Sequence, residues 1–445
     1  MVESTQGPEQ DAGGFSVDDL REAWHVLSTE ERLEGFKLLP RDEAEEFLFT
    51  LGAADQADII LALPAVERRS WMRLLPPDDA ADVVQAAGED RESLLALLDD
   101  PTRKEVQALL AYAEDEAGGL MNPRYARVRP TVTVDEAILY LRKQAREKVE
   151  TLYYAYVIDA DLKLVGVVSF RDLFAAQPQK TVADIMTTDV ITVTPDTGQE
   201  AVSRLFADHG LIAIPVVDEA GRMKGIVTVD DIVDVVEEEA TEDIQKLGGT
   251  AALEAPYLQT PFMTMVWKRA GWLCALFLSE MLTSNAMTYF EAEIERAVVL
   301  AIFVPLVMSS GGNSGSQATS LVIRAMALGE VKLRDWFRVI RREFASGLTL
   351  GFILGCIGFL RIVLWPGHAH IYTEHYMLVA ATIAFSLVGI VMWGTLAGSM
   401  LPFVLRRVGF DPASASAPFV ATLVDVSGLV IYFTVASFIL RGTLL

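Results

Sequence analysis

A long apolar stretch near the end of the chain, Asp411–Leu440, most limits what the chain can fold into. Residues 413–440 are apolar or small, and a helix needs only about 20 such residues to cross a bilayer. One carboxylate, Asp425, lies in the middle of this stretch, which contains no Lys or Arg. Because an ionised carboxylate at that depth costs about 2.5 kcal/mol or more, the pattern favours a membrane helix whose Asp425 faces an ion path. The alternative is a carboxylate that is hydrogen-bonded inside a helix bundle.

The charge of the 445-residue chain is divided unequally between two parts. Residues 1–260 carry 24 Lys and Arg against 51 Asp and Glu, a net charge of −27, whereas residues 261–445 carry 13 against 10, a net charge of +3. So acidic a part argues against nucleic acid as a partner, because phosphates require a basic surface. It suits the binding of cations, although acidic surfaces also serve solubility alone.

The N-terminal region is predicted to be helical and cytoplasmic. Residues 1–14 are polar, which indicates a disordered tail and no signal peptide. Residues 15–119 indicate an acidic domain of short stacked helices, an α-helical solenoid, in which three Leu-Pro pairs mark helix starts. Three acids, Asp78, Asp79 and Asp82, begin one of these helices, and favourable interaction with the helix dipole is enough to account for them.

An internal repeat covers residues 120–236 in two copies, 120–177 and 178–236. Tyr154–Leu173 aligns with Ala213–Ile232 at an offset of 59 residues, and both copies indicate strand, turn, strand and a helix opened by Ser/Thr-x-x-Asp. The repeat closely resembles a tandem pair of CBS domains, α/β modules that often bind adenine nucleotides. The resemblance implies ATP as a ligand, with its ribose on Asp172 and Asp231. A pair with a purely structural role is the alternative.

A strongly acidic helix is predicted to follow the repeat. Eight acids occupy the fourteen residues from Asp230 to Asp243, with no base before Lys246. Acids at helical spacing repel one another, and a solvated helix face and a divalent-cation site explain the run equally well. Residues 237–262 are therefore interpreted as a connecting helix and a joint.

The remaining residues, 263–445, are predicted to form an all-α membrane domain. It should contain five helices, over about 265–288, 297–322, 344–365, 376–402 and 413–440. Basic residues concentrate between the second and third helices and between the fourth and fifth. By the positive-inside bias, the N-terminal domains should be cytoplasmic and the C-terminus outside.

The second of these segments contains an unusual run, SSGGNSGSQATS, over Ser309–Ser320. Glycine and hydroxyl residues weaken a membrane helix and expose its carbonyls, which requires partners from protein or water. Close packing of helices and the lining of a pore are the two explanations. The run lacks the Lys of a phosphate-binding loop, so ATP hydrolysis is rejected and an enzyme is not expected.

The order of these parts resembles the MgtE family of magnesium channels and transporters. Three motifs carry the resemblance: GGNSGSQATSLVIRA at 311–325, ATEDIQKLGG at 240–249, and DPxxxxxPxVATLxDVxGLxIYF over Asp411–Phe433. The resemblance covers nearly the whole chain. It implies a multi-pass homodimer in the cell (inner) membrane that takes up Mg²⁺ through a pore on the two-fold axis.

The resemblance also implies which residues bind Mg²⁺. In the pore, Asp425 would hold the ion through its water shell, helped by backbone carbonyls near Ser309, Gly312 and Ala421, with Pro305 and Pro418 bending the lining helices. Mg²⁺ bound between the N-terminal domain, the CBS pair and the connecting helix would close the channel. The residues implied for this sensor are Asp231, Asp234, Glu239, Glu242, Asp243, Glu200 and Asp411, with Asp78, Asp79 and Asp82 placed only loosely.

Selectivity and mechanism stay open at this point. Ser316 and Ala417 stand where relatives carry amide side chains, so discrimination of Mg²⁺ from Ca²⁺ or Mn²⁺ does not follow from the resemblance. A secondary transporter that exchanges a divalent cation for Na⁺ or H⁺ could use the same Asp425. A membrane-anchored nucleotide sensor is the third hypothesis, and it predicts that Asp425 is dispensable.

Overall fold

The computed structural model describes residues 16–146, 149–151, 153–253, 255, 257–365 and 375–444. The predicted disordered tail, residues 1–14, lies outside this range. The chain forms two compact units, Met1–Glu239 and Ala240–Leu445.

The first unit begins with a stack of short helices. They are α1 (Val17–Ala23), α2 (Thr29–Leu38), α3 (Arg41–Phe49), α4 (Ala53–Ala62), α5 (Ala65–Met72), α6 (Pro77–Ala86), α7 (Arg91–Leu95) and α8 (Asp100–Leu109). Pro40, Pro64 and Pro76 are the N-cap residues of α3, α5 and α6, which confirms the helix starts predicted from the Leu-Pro pairs. The Leu of each pair is buried. The pair therefore places an apolar anchor in the core immediately before a helix begins.

The repeat forms two strand pairs with helices around them. The elements are α9 (Ala117–Leu120), β1 (Arg127–Val128), α10 (Val134–Gln144), β2 (Tyr154–Ile158), β3 (Leu164–Ser169), α11 (Phe170–Ala175), α12 (Gln199–His209), β4 (Ala213–Val217), β5 (Met223–Thr228) and α13 (Val229–Leu247). In the sheet β1-β2-β3, β1 is parallel and β3 antiparallel to β2. Strands β4 and β5 form a separate antiparallel pair.

Residues separated by the 59-residue offset make equivalent hydrogen bonds and backbone contacts in the two copies. Asp159 accepts hydrogen bonds from two backbone N–H groups of its turn, and Asp218 does so in the second copy. Gly166 and Gly225 each lie where a Cβ would come within 3 Å of a backbone carbonyl oxygen, at 2.9 and 2.8 Å. The predicted repeat of strand, turn, strand and helix is therefore confirmed.

The second unit begins with the last residues of α13, from Ala240, and is helical. Its further helices are α14 (Phe262–Tyr289), α15 (Glu291–Arg296), α16 (Val298–Ala301), α17 (Val304–Ala327), α18 (Trp336–Val363), α19 (Tyr376–Val408) and α20 (Ala417–Ile439). Among the described residues, four spans are long and apolar enough to cross a membrane: Val298–Ala327, Leu333–Val363, Tyr376–Val408 and Ala417–Ile439. The segment predicted over 265–288 forms the 28-residue α14, which is not one of the four.

The glycine-rich run does not interrupt α17. The helix is continuous from Val304 to Ala327, and a Cβ at Gly394 or Gly398 of α19 would overlap a carbonyl oxygen of α17. The hydroxyl of Thr319 donates to the carbonyl of Gly398 at 2.8 Å. The expected weakening of the helix is therefore wrong, because the glycines let two intact helices pack backbone to backbone.

Pro305 and Pro418, which were expected to bend the lining helices, lie at helix starts, and the break between Ala301 and Val304 comes immediately before Pro305. Both prolines lie in the first turns of α17 and α20, where the missing N–H has no partner within the helix to lose. They therefore start these helices. Helix α20 begins at Ala417 and not at 413, because Ser416 caps it by accepting a hydrogen bond from the N–H of Phe419 at 3.3 Å.

Replacing Gly398 by Ala tests the backbone contact between α17 and α19. The new methyl group would overlap the carbonyl oxygen of Gly315, and overpacking of this kind costs about 1–3 kcal/mol. Thermal unfolding of the purified full chain should therefore shift to a lower temperature. Gly271→Ala on α14 is the control, because no atom lies within 4 Å of its added Cβ. Equal melting temperatures for Gly398→Ala and the wild type would contradict this packing.

Candidate cation sites

The first candidate site lies where α17 and α20 run antiparallel. A Cβ at Gly312 would lie 3.4 Å from both Cα and Cβ of Ala421, and one at Gly428 would lie 3.4 Å from the sulfur of Met308. These two contacts place Asp425 of α20 near the level of Ser309 on α17. The four residues implied for a pore thus lie on two helices in contact, within about two turns.

The carboxylate of Asp425 is half-buried and has no basic partner among the described residues. The charge acting on it is Glu280 of α14, which is also negative. Glu280 and Thr422 line an open groove of about 810 Å³ whose other walls are apolar. Two carboxylates without a base in an apolar setting favour a cation between or beside them.

Sequence reasoning missed Glu280. A signal was present, because Glu280 is the only charged residue between Arg269 and Tyr289. Its position opposite the segment around Asp425 depends on how α14 and α20 pack, and no local pattern carries that information.

Helix α17 presents polar side chains on its exposed face. Ser309, Asn313, Gln317 and Ser320 are exposed and recur at spacings of three and four residues, which places them on one side of the helix. The opposite side carries the buried Gly311 and Gly315 that pack on α19. Polar side chains within a membrane span almost always face protein or water. Lipid alone is therefore a poor neighbour for this face.

The two positions that depart from the family pattern contact each other. The hydroxyl of Ser316 donates to the carbonyl oxygen of Ala417 at 3.2 Å. This bond ties the middle of α17 to the first residue of α20.

The second candidate site is an acid cluster in the first unit, made by α6 and the first turns of α13. Its members are Asp78, Asp79 and Asp82 on α6, Asp230, Asp231 and Asp234 on α13, and Glu150. Burial and then the charges of Asp230 and Asp234 raise the pKa of Asp79 to about 6. Burial and then neighbouring carboxylates, beginning with Asp79, raise the pKa of Asp82 to about 7. The acid cluster therefore requires protons or cations to stay together at neutral pH.

Burial and repulsion between carboxylates also act on Asp78 and Asp231, the two most enclosed members of the acid cluster. Burial, followed by repulsion from Asp79, raises the pKa of Asp78 well above its usual value. Burial also raises the pKa of Asp231 to about 7, although the Thr228 hydroxyl donates to its carboxylate at 2.9 Å and opposes the shift. Every charged side chain in the described ranges that acts on these two groups is negative. The arrangement fits a divalent cation better than a monovalent one, because one ion can offset two charges.

A buried amide, Asn122, lies in the acid cluster and was not predicted. It is 1% exposed, and its side-chain N–H groups donate to Asp78 at 3.1 Å and to Glu150 at 2.6 Å. Its backbone exchanges hydrogen bonds with Ile226 of β5, at 2.7 and 2.9 Å. Asn122 thus ties α6, the segment after α10 and the second strand pair to one point. Only the tertiary fold brings these partners together.

The other residues implied for the sensor lie elsewhere. Glu239 accepts a hydrogen bond from Gln199 at 2.8 Å, and Glu200 is ion-paired with Arg204. Lys246 contacts Glu242 at 2.5 Å and Asp411 at 2.6 Å. Asp243 is half-buried on the same part of α13.

Lys246 therefore neutralises two of the implied acids without any metal. Burial alone would lower the pKa of Lys246. The hydrogen bonds to Asp411 and Glu242 together outweigh burial, so the pKa of Lys246 is raised above its usual value. Among the residues that the structure describes, no three His, Cys, Asp or Glu side chains form a group able to hold a metal directly. An ion at either candidate site would keep much of its water shell, as Mg²⁺ prefers.

The two residues implied for a nucleotide have different surroundings. Asp172 is exposed, and the Ser169 hydroxyl donates to it at 2.6 Å. Asp231, its equivalent in the second copy, belongs to the acid cluster. Phosphates would be repelled there, so Asp172 offers the more suitable environment.

Comparisons with known proteins agree with this division of the chain. A family model described as a divalent cation transporter matches residues 304–435, a model for the MgtE intracellular N domain matches 15–115, and CBS-domain models match 117–178 and 182–238. The magnesium transporter MgtE of Thermus thermophilus is 44% identical over 430 residues, which cover 95% of this chain and 93% of that protein. The Bacillus subtilis magnesium transporter MgtE is 35% identical, over 77% and 74% respectively. A crystal structure of the cytosolic domain of the Mg²⁺ channel MgtE in complex with ATP is 45% identical over 49% of this chain and 90% of that one, with a TM-score of 0.46.

The raised pKa values predict how pH and Mg²⁺ act on α6. A folded state with raised carboxyl pKa values binds more protons than the unfolded state between about pH 4 and pH 7, so stability falls as pH rises through that range. Without divalent cations, hydrogen-exchange protection factors in α6 should therefore be lower at about pH 8 than at about pH 5. Mg²⁺ should restore them at the higher pH and change little at the lower one. Peptides from α10 in the same samples are the control, and Mg²⁺-independent protection of α6 at both pH values would contradict a cation site.

Proposed function

The chain belongs to the MgtE family of divalent cation transporters, and we propose that it is a Mg²⁺ channel that takes up magnesium across the cell membrane. The observation that carries the proposal is the half-buried carboxylate of Asp425 within a membrane span, beside Glu280 and without a base among the described residues. Such a group is costly unless a cation or a proton compensates it. The proposal assigns no catalytic activity to the chain.

We infer a homodimer from the polar face of α17. In a single chain this face and part of Asp425 are exposed at membrane depth. A second copy related by a two-fold axis would turn both polar faces and both Asp425 carboxylates toward a shared, water-filled path. The two negative charges would then attract divalent ions more strongly than monovalent ones.

The pore chemistry suits a hydrated ion. Mg²⁺ gives up water reluctantly and binds few carboxylates directly. Asp425 would accept hydrogen bonds from its waters, and carbonyls near Ser309, Gly312 and Ala421 would accept others. Since Ser316 is held by Ala417, its hydroxyl is a poor substitute for a free amide at the entrance, and selectivity rests mainly on charge and hydration.

The acid cluster is proposed as the sensor that closes this channel. Mg²⁺ bound among Asp78, Asp79, Asp82 and the acids of α13 would replace repulsion by attraction and hold α6 on α13. Two unit charges about 4 Å apart interact by about 4 kcal/mol at an effective dielectric constant of 20. Several such pairs exceed the few kcal/mol that usually separate two domain arrangements. Helix α13 is continuous to Leu247, so a shift of its first turns can reach the joint.

We propose that α14 is the fifth membrane crossing. Lys268 and Arg269 lie near its start, and Glu280 is the only charge in the following part of the helix. With five crossings, the positive-inside bias of the basic loops favours N-terminal domains in the cytoplasm and a C-terminus outside.

ATP is proposed as a ligand of the CBS pair. The capped Asp172 at the start of α11 is the favoured ribose ligand, and Asp231 is the second candidate. A nucleotide bound there would stabilise the CBS pair and could bias the sensor, since Asp231 belongs to both.

Replacing Asp425 tests the pore. Asp425→Ala removes both carboxylates from the proposed axis and should abolish most Mg²⁺ flux into liposomes, while Asp425→Asn keeps the shape and should lose preference for divalent over monovalent cations. Thr434→Ala, on an exposed position of the same helix, is the control and should retain flux. Undiminished, selective flux through Asp425→Ala would exclude the pore role and favour a sensor that transports nothing. Flux dependent on a Na⁺ or H⁺ gradient would favour the carrier instead.

Replacing Asp172 tests the nucleotide site. ATP at saturating concentration should raise the unfolding temperature of the full chain, because a ligand that binds only the folded state stabilises it. Asp172→Ala should lose most of that increase, and Asp161→Ala, in the exposed turn of the same repeat, should retain it. A wild type with no thermal shift and no binding heat would leave the CBS pair with a structural role only.

A further inference from the structure

We propose that the start of α18, with the turn before it, binds the headgroups of anionic phospholipids. This basic segment, residues 332–344, carries five exposed basic side chains: Lys332, Arg334, Arg338, Arg341 and Arg342. It contains two acids, Asp335 and Glu343. Asp335 pairs with Arg338 at 3.1 Å, and within the described part of the chain Arg334 and Arg341 make no ion pair. The segment therefore presents a surplus of positive charge to its surroundings.

The length of the helix places the basic segment at headgroup depth. Helix α18 has 28 residues, about 42 Å at 1.5 Å per residue, which exceeds a hydrocarbon core of about 30 Å. Seventeen uncharged residues separate Glu343 from Arg361, and about that number is needed to span the core. With this uncharged part in the hydrocarbon, Arg338, Arg341 and Arg342 lie beside the phosphates of one leaflet.

The direction of the arginines also favours lipid. Gly347 and Gly351 of α18 pack on the backbone of α19. Arg338 lies nine residues before Gly347, about two and a half turns, which puts it on the opposite side of the helix. Its side chain is 87% exposed. The Arg338 side chain is thus turned away from α19, the helix on which α18 packs.

Aromatic residues support the same depth. Trp336, Phe337 and Phe344 are 50%, 64% and 46% exposed. Trp is enriched at the membrane–water interface because its ring has an apolar body and a polar N–H, and exposed Phe rings beside it favour contact with acyl chains. Rings interleaved with arginines fit a surface that offers both phosphate groups and acyl chains.

Tryptophan quenching by brominated lipid tests the proposal in the full chain. The signal of Trp336 is obtained as the difference between the wild type and Trp336→Phe. The quenching gives a binding constant for brominated phosphatidylglycerol relative to brominated phosphatidylcholine. We expect this ratio to be at least about ten, because each base near an anionic surface contributes about fivefold to lipid binding. Arg338→Gln, Arg341→Gln and Arg342→Gln combined should reduce the ratio to about one.

Two further variants separate charge from folding. Combined Arg338→Lys, Arg341→Lys and Arg342→Lys keeps the charges and should keep the preference. Combined Arg142→Gln, Lys143→Gln and Arg146→Gln removes the same charge from exposed positions at the end of α10 and should behave like the wild type. Equal quenching by both lipids in the wild type, or a preference retained by the Arg→Gln variant, would overturn the proposal. So would displacement of the anionic lipid by inorganic phosphate at constant ionic strength, which would indicate a general anion site.

Discussion

Enclosed carboxylates, with no basic partner among the residues that the structure describes, are the constraint on which both candidate sites depend. Asp425 of α20 lies within a candidate membrane span, and in the acid cluster protein burial encloses Asp79 and Asp82 of α6 and Asp231 of α13. In each place the neighbouring charges in the described part of the chain are negative. A hydrated divalent ion relieves both situations by the same physics, so one ion species can serve as cargo in one unit and as signal in the other.

The glycine contacts between α17 and α19 make the polar face of α17 possible. A helix packed backbone to backbone on one side needs no large apolar side chains there, and its other side can carry hydroxyls and amides toward a water-filled path. The run of glycine and hydroxyl residues thus packs α17 on α19 from one side, and the pore lining proposed above would use the other side. On that proposal the two explanations that the sequence left open are complementary.

Local patterns predicted the local features well. The prolines after Leu39, Leu63 and Leu75 predicted helix starts because a cap needs only neighbouring residues, and the 59-residue repeat predicted two strand pairs because both copies carry their own turn. The features that escaped prediction depend on distant partners. Asn122 meets Asp78 across 44 residues, and Lys246 meets Asp411 across 165. Helix packing by the glycines of α17 was one of the two explanations, but the sequence did not identify α19 as the partner helix.

Single-channel recording with Mg²⁺ varied on the side of the N-terminal domains is the most direct test of a Mg²⁺-gated pore. We expect unitary Mg²⁺ currents whose open probability falls as that Mg²⁺ rises. In Asp79→Asn with Asp82→Asn, the fall should shift to higher Mg²⁺ while the unitary current stays the same. An open probability that depends on Mg²⁺ identically in the variant and the wild type would contradict gating by the acid cluster, and a complete lack of unitary steps would contradict a channel.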